Sequence, residues 1–256
     1  MDTVILTSYF SKKPHPQRGD PDCVGITKGG RVSQEDFSYI QDWYNSVHTL
    51  GLQARIFFDE LSEDFLSEYT TDKIKFIKTN VEETRFSNND WRFFCYRDYL
   101  KSNKHDGVFM TDCSDVIVAK DPAELLIGEG NDCQFYAGKD VEGMKWSDYR
   151  FAAFPYEVIH KTCSWAGLDY FKKHGAELDL INMGVIGSIQ ENVEFFLKLF
   201  TECREKAPTN VNINMALGQF IFRYAFQDSV ICVGEPLTSE YKKWQKDRKD
   251  VYFIHK

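Results

Sequence analysis

The first half of the chain alternates short apolar runs with amphipathic stretches, and that alternation constrains its fold more than any other feature. Residues 4–10 form an apolar run, the shape of a buried first strand. Residues 12–31 carry Pro14, Pro16, Pro21 and four glycines, a long irregular loop of the kind that goes with function or mobility. Ser33 then caps a helix with Asp36 at its third position, and Phe37, Ile40, Trp43, Tyr44 and Val47 line one face until Gly51 ends it. Strands follow over 54–59 and 73–78, the second alternating polar with apolar and therefore nearer an edge. A helix over 89–102 presents Phe93, Tyr96 and Leu100, and the apolar strand 107–112 comes next. Strands alternating with helices predict a mostly parallel sheet flanked by helices.

The second half is less regular. Strands are expected over 134–138, 178–188 and 230–233, helices over 191–205 and 212–226, and short helices with loops in the aromatic stretch 145–175. The chain closes on the apolar segment 251–256. No repeat, low-complexity stretch or Pro/Gly/Ser linker divides it, so a single α/β domain over 1–256 is the simplest organisation.

Composition narrows the function classes. The 256 residues suffice for a sizeable core, and 43% hydrophobic with 27% charged residues rules out global disorder. No window approaches a membrane-spanning run, and residues 4–10 are too short for a signal core, so neither a spanning helix nor a leader is expected. A net charge of −8 argues against a nucleic-acid binder, which needs a basic stripe. A small anionic ligand would instead need a bound cation or a few focused basic side chains. The cysteines at 23, 95, 113, 133, 163, 203 and 232 show no C-x-x-C spacing. They read as reduced, buried thiols of a cytoplasmic protein rather than as a zinc site or disulfide framework.

The chemistry concentrates at the end of strand 107–112. An apolar run delivers Asp112 and Asp115, three residues apart, to the edge where ligands bind in open α/β sheets. Carboxylate oxygens suit Mg²⁺ or Mn²⁺, ions that bridge protein carboxylates to phosphates. Alone, the pair could equally be a turn in which Asp112 caps backbone groups and Asp115 is solvated.

The run Thr111-Asp112-Cys113-Ser114-Asp115-Val116, with Lys120-Asp121-Pro122 behind it, resembles the metal-binding aspartate segment of glycosyltransferases with the GT-A fold. The stretch from Leu180 through Asn182, Gly184 and Gly187 is similar to the N-x-G-x-x-G strand of those enzymes. Gly234-Glu235-Pro236 resembles their late G-x-P segment, and Phe253-Ile254-His255-Lys256 resembles the C-terminal element that completes their metal and diphosphate site. The four occur in the family's order. The small form is similar to enzymes of bacteria and large algal viruses.

The resemblance implies a GT-A, Rossmann-like, mostly parallel sheet flanked by helices. Residues 1–122 would be the donor half, and 123–256 a smaller acceptor side plus the C-terminal element. It implies Mn²⁺ or Mg²⁺ held by Asp112, Asp115 and His255, with Asp112 alternatively on the ribose and Lys256 on the diphosphate. The D-x-x-D spacing is one residue longer than the family's usual D-x-D. Thr7, Ser8 and Tyr9 end the first strand, where relatives hold nucleobase and ribose; Tyr9 would stack on the base or be a core aromatic. Arg92 and Arg97 both stand on the helix whose basic residue touches the nucleotide in relatives. Five residues of helix is about 140° of rotation, so one of them faces the site, and Arg92 is preferred. Asn182, Gly184, Gly187 and Gly234 would meet the substrate, while Asn214 stands where relatives often carry an acid.

The expected reaction moves a sugar from a nucleoside-diphosphate donor, a UDP-sugar by preference, to a hydroxyl of a glycan or glycoconjugate acceptor. Asp140 and Asp179 are the candidate bases. Strand alternation points Asp179 and Asn182 to opposite faces unless a bulge intervenes, which favours Asp140. Most aromatics, 15% of the chain, belong to the core, leaving Tyr9, Trp146 or Tyr149 for stacking. The rival readings are a metal-dependent phosphohydrolase and a non-catalytic carbohydrate-binding module.

Overall fold

The computed structural model describes residues 1–12, 35–81, 84–128, 133–141, 143–145, 179–207, 212–222, 226, 231–241, 243 and 245–256. The expected loop beyond Lys12, Ser33, the aromatic stretch with Trp146 and Tyr149, Cys23 and Cys163 lie outside those residues.

Strands β1 (Thr3–Tyr9), β2 (Gln53–Phe58), β3 (Ile74–Lys78) and β4 (Gly107–Thr111) form a parallel array. Helices α1 (Gln41–Thr49), α2 (Glu63–Tyr69) and α3 (Asn88–Leu100) link them. β5 (Val116–Val118), α4 (Ala123–Ile127), β6 (Phe135–Lys139), β7 (Ile181–Ile189), α5 (Gln190–Lys206), α6 (Asn214–Ile221), β8 (Ile231–Val233) and β9 (Phe253–His255) follow. Among the described residues the main sheet has seven strands in the order β3-β2-β1-β4-β7-β6-β8, and of these only β7 is reversed. The wetter strand 74–78 is at the sheet edge, as its alternation indicated.

Side chains of a strand alternate between the two faces, and the core divides accordingly. Val4, Leu6, Val108 and Met110 pack with Phe93, Phe196 and Phe200 from α3 and α5. Ile5, Ile56, Phe109 and Val185 pack on the other side with Trp43 and Val47 of α1 and with Val116 and Phe253. Fully burying side chains of this size stabilises by about 1.5–3 kcal/mol each. On the first face Asp90 and Arg204, both fully buried, pair at 2.7 Å and tie α3 to α5.

Two details differ from the sequence expectation. The helix expected from Ser33 begins later: Asp36 caps a short 3₁₀ turn, Phe37–Tyr39, by accepting the Ser38 N–H at 3.1 Å, and α1 starts at Gln41. The cysteines are also not all reduced. Cys133 and Cys232 form a disulfide because β6 and β8 are neighbours and bring their Cα atoms to 5.7 Å. The expectation of reduced thiols throughout therefore fails at this pair. Cys95, Cys113 and Cys203 are buried free thiols. No helix among the described residues is long and apolar enough to cross a membrane.

Candidate functional site

β4 ends at Thr111, which is clamped from two sides. Thr7 Oγ1 donates to its carbonyl at 2.8 Å, and Trp43 Nε1 donates to its hydroxyl at 2.8 Å. Thr7 is fully buried, so it positions the strand end rather than meeting a ligand, which corrects its expected binding role. The chain then turns through Asp112 and Asp115 into β5, which pairs antiparallel with β9 in a separate two-stranded ribbon. Val116 stands opposite His255, and the Lys256 N–H donates to the Asp115 carbonyl at 2.8 Å. Lys256 itself is exposed there. The ribbon thus returns the C-terminal residues to the aspartate turn. Ser239 Oγ fixes the histidine backbone, accepting its N–H at 3.0 Å.

Asp112, Asp115 and His255 converge so that one ligand atom from each lies within 4.8 Å of the others. His255 is 1% exposed, its Nδ1 has no hydrogen-bond partner among the described residues, and its Nε2 stands 3.9 Å from Asp115 Oδ2, too far for a hydrogen bond. Burial lowers the pKa of this imidazole and keeps it neutral. Asp115 is pushed up to about 7 by burial and then by the Asp112 charge. Two carboxylates and a neutral imidazole that cannot relieve one another suit a divalent cation such as Mn²⁺ or Mg²⁺. Gly184 lets the two side chains close on the backbone: a Cβ there would sit 2.8 Å from both Asp112 Oδ2 and His255 Nε2. These residues therefore fit the cation.

Arg92 is buried behind this group, where it pairs with Asp112 Oδ1 and donates to the Met183 carbonyl at 3.3 Å. Burial works against its charge, but the Asp112 carboxylate outweighs that and raises its pKa. Arg97 turns the other way, to Thr201 Oγ1 at 3.0 Å and Asp98 at 3.1 Å, which removes it from the expected nucleotide contacts. A cleft lined by Ser8, Tyr39, Asn88, Arg92, Asp112 and Asp115 opens at the C-terminal ends of β1 and β4, the edge the topology favours.

Tyr9 does not line that cleft. It is 1% exposed, its hydroxyl accepts the Asp36 N–H at 2.9 Å and donates to the Asp36 carbonyl at 3.2 Å, and burial pushes its pKa up to about 12. Tyr9 is the core aromatic of the two alternatives. Tyr39 stacks on it at 5.4 Å and reaches the cleft in its place.

β7 passes on the far side of β4. Its pairing with β6 steps from Ile186, opposite Ala137, to Asn182, opposite Gly138, so residues 183–185 bulge from β6 while Val185 stays paired with Thr111 of β4. The Gly184 carbonyl accepts the Asp112 N–H at 2.7 Å, and the bulge leans onto the metal-ligand group. Asn182 spends both ends of its amide within the protein. Its Oδ1 accepts the Gly184 N–H at 2.8 Å and its Nδ2 donates to Asp140 Oδ2 at 3.0 Å. Asp140 is buried and its charge acts on both His255 and Tyr241. Asp179 instead pairs with Lys145 at 2.6 Å and Lys139 at 2.9 Å. Hydrogen bonds from Lys145 and Lys139 lower its pKa, which makes it a poor base. Gly187 packs against the Phe109 ring, and Gly234 has φ 85° in the turn after β8, which favours glycine.

Sequence reasoning missed Tyr241. Its ring lies 4.6 Å from that of His255. Burial, then the charges of Asp115, Asp140 and Asp112, push it up to about 12. No spacing in the sequence links it to the aspartates.

The order of strands, the single reversed strand and the carboxylates at the end of β4 define a fold of the GT-A type. Among solved structures the chain is similar to the galactosyltransferase LgtC, determined in complex with donor and acceptor sugar analogs. The TM-score is 0.54 and the identity 12%, with 98% of this chain and 86% of that chain covered. No family model and no curated protein matches the sequence.

Proposed function

We propose that the protein is a glycosyltransferase that moves a sugar from a nucleoside-diphosphate donor, a UDP-sugar by preference, to a hydroxyl of a glycan or glycoconjugate. The observation that carries this reading is the convergence of Asp112, Asp115 and His255 beside a cleft at the C-terminal edge of the sheet. The likeness to LgtC supports it at the level of the fold.

In this reading Asp112, Asp115 and His255 hold Mn²⁺ or Mg²⁺. The bound ion supplies a fixed positive charge where the departing diphosphate becomes negative. Arg92 holds one oxygen of Asp112, and the other would be available to a cation. Lys256, at the end of the ribbon, adds a point charge for the phosphates. Ser8, Tyr39 and Asn88 line the part of the cleft assigned to the nucleoside. As the donor C1–O bond breaks, a bond forms between C1 and the acceptor oxygen. The electron pair of the broken bond leaves on the diphosphate. Asp140 takes the acceptor proton in the inverting form of this reaction.

Calorimetry with UDP- and GDP-sugars, with and without Mn²⁺, tests the reading, followed by a donor screen for released nucleoside diphosphate. Metal-dependent nucleotide-sugar binding is expected. Binding that ignores Mn²⁺, or no nucleotide binding, rejects the mechanism. Release of inorganic phosphate in place of sugar transfer favours a phosphohydrolase.

A further inference from the structure

The bulge in β7 leaves the Gly184 N–H without a partner on β6, and the Asn182 side chain supplies one. Because Gly184 N–H needs an acceptor and the Asp140 carboxylate needs a donor, the two partners fix which way the amide points. Gly184 in turn touches Asp112 and His255, and its carbonyl holds the Asp112 N–H. A continuous path therefore runs from Asp140 through Asn182 and Gly184 to two of the three metal-ligand candidates. Gly138 makes the path possible, since a Cβ there would stand 3.2 Å from the Asn182 carbonyl oxygen.

We infer that Asn182 is a positioning residue rather than a sugar-binding one. One end of its amide holds the floor of the cation site, and the other sets the Asp140 carboxylate at a fixed place relative to that site. The inference rests on the transferase reading, and it gives the bulge a purpose: the two halves of the chemistry are registered through one side chain as well as through the ladder at Gly138 and Lys139. Two carboxylates serving different tasks need such a spacer, because direct contact between them would raise the pKa of one.

The test separates the two ends. Asn182→Asp keeps an acceptor for the Gly184 N–H but sets a second carboxylate against Asp140. Mn²⁺ alone, titrated by calorimetry, should bind it at least as tightly as wild type. The kcat for UDP-hexose turnover should fall roughly 100-fold, the scale of general-base catalysis, with KM nearly unchanged. The exchanged pair D140N/N182D restores a carboxylate–amide hydrogen bond with the partners reversed. Its thermal midpoint should return toward wild type while kcat stays low.

Recovery of kcat together with the midpoint in the exchanged pair would overturn the inference, because packing alone would then explain both residues. Wild-type kcat in Asn182→Asp would overturn it too, as would a loss of Mn²⁺ binding as large as the loss of kcat. If Asn182→Asp fails to fold, the exchanged pair against wild type decides alone. A wild-type enzyme that releases no nucleotide from any UDP- or GDP-sugar rejects the transferase reading instead, a result distinct from all of these.

Discussion

The strands before Thr111 and the strands after it build the same edge of the sheet in different ways. β1 to β4 are parallel, regular and joined by helices, and each runs to the C-terminal edge with its side chains alternating between two cores. β7 returns by reversal with a bulge, and β9 by the separate ribbon. The regular half supplies Asp112, Asp115 and Arg92, and the irregular half supplies His255, Gly184 and Asp140. Regular strands deliver groups to an edge, but aiming them at one another takes departures from the ladder.

If that division holds, Asp115→Ala should remove Mn²⁺ binding and reduce nucleotide release roughly 1000-fold. Turnover in that variant at the wild-type rate would break the metal assignment. The two glycines of β7 give the next contrast. Gly184→Ala puts a methyl between Asp112 and His255 and should abolish Mn²⁺ binding in calorimetry. Gly187→Ala drives a methyl into the Phe109 ring and should cost about 1–3 kcal/mol of stability. Its Mn²⁺ affinity should be retained, and equal effects at the two positions would erase the distinction.

The pH dependence is a smaller effect with a definite sign. Asp115 has its folded-state pKa raised from 3.8 to about 7. Its contribution to apo stability is therefore present at low pH and is lost as pH rises toward 7. Cation binding requires the carboxylate, so the Mn²⁺-induced rise in melting temperature should grow with pH and level off above about 7. A shift independent of pH would detach Asp115 from the cation. The smallest effect is expected from Arg97→Ala, whose contacts with Asp98 and Thr201 are partly exposed. It should change stability by about 1 kcal/mol or less and leave kcat alone.

The legibility of the sequence follows the same division. Strands 54–59, 73–78 and 107–112 and helix 89–102 were readable within a residue or two, because local periodicity alone determines them. Asp112 and Asp115 stood out because two carboxylates closed an apolar strand. His255 was legible only through the resemblance, since nothing local says that residue 255 folds back on residue 116. The identity of the aromatic at the cleft was missed for a related reason. Tyr9 and Tyr39 are both plausible by type, and only the hydrogen bonds to Asp36 bury the first and leave the second facing outward. The Cys133–Cys232 bond was hidden because sheet order, not spacing, brings β6 and β8 together. Asp179 and Asn182 were read as members of one strand, but β7 begins only at Ile181, so strand alternation does not relate their faces.

The ribbon of β5 and β9 shares no hydrogen-bonded strand with the main sheet. It is held to the sheet by its side chains instead, with Val116 and Phe253 buried in the second core. Parting β9 from β5 would carry His255 away from the aspartates. Closing the ribbon means joining two points far apart along the chain, an entropic toll that a cross-linking ion would offset. Amide exchange at Phe253, Ile254 and His255 would therefore report occupancy of the site more directly than melting of the whole molecule.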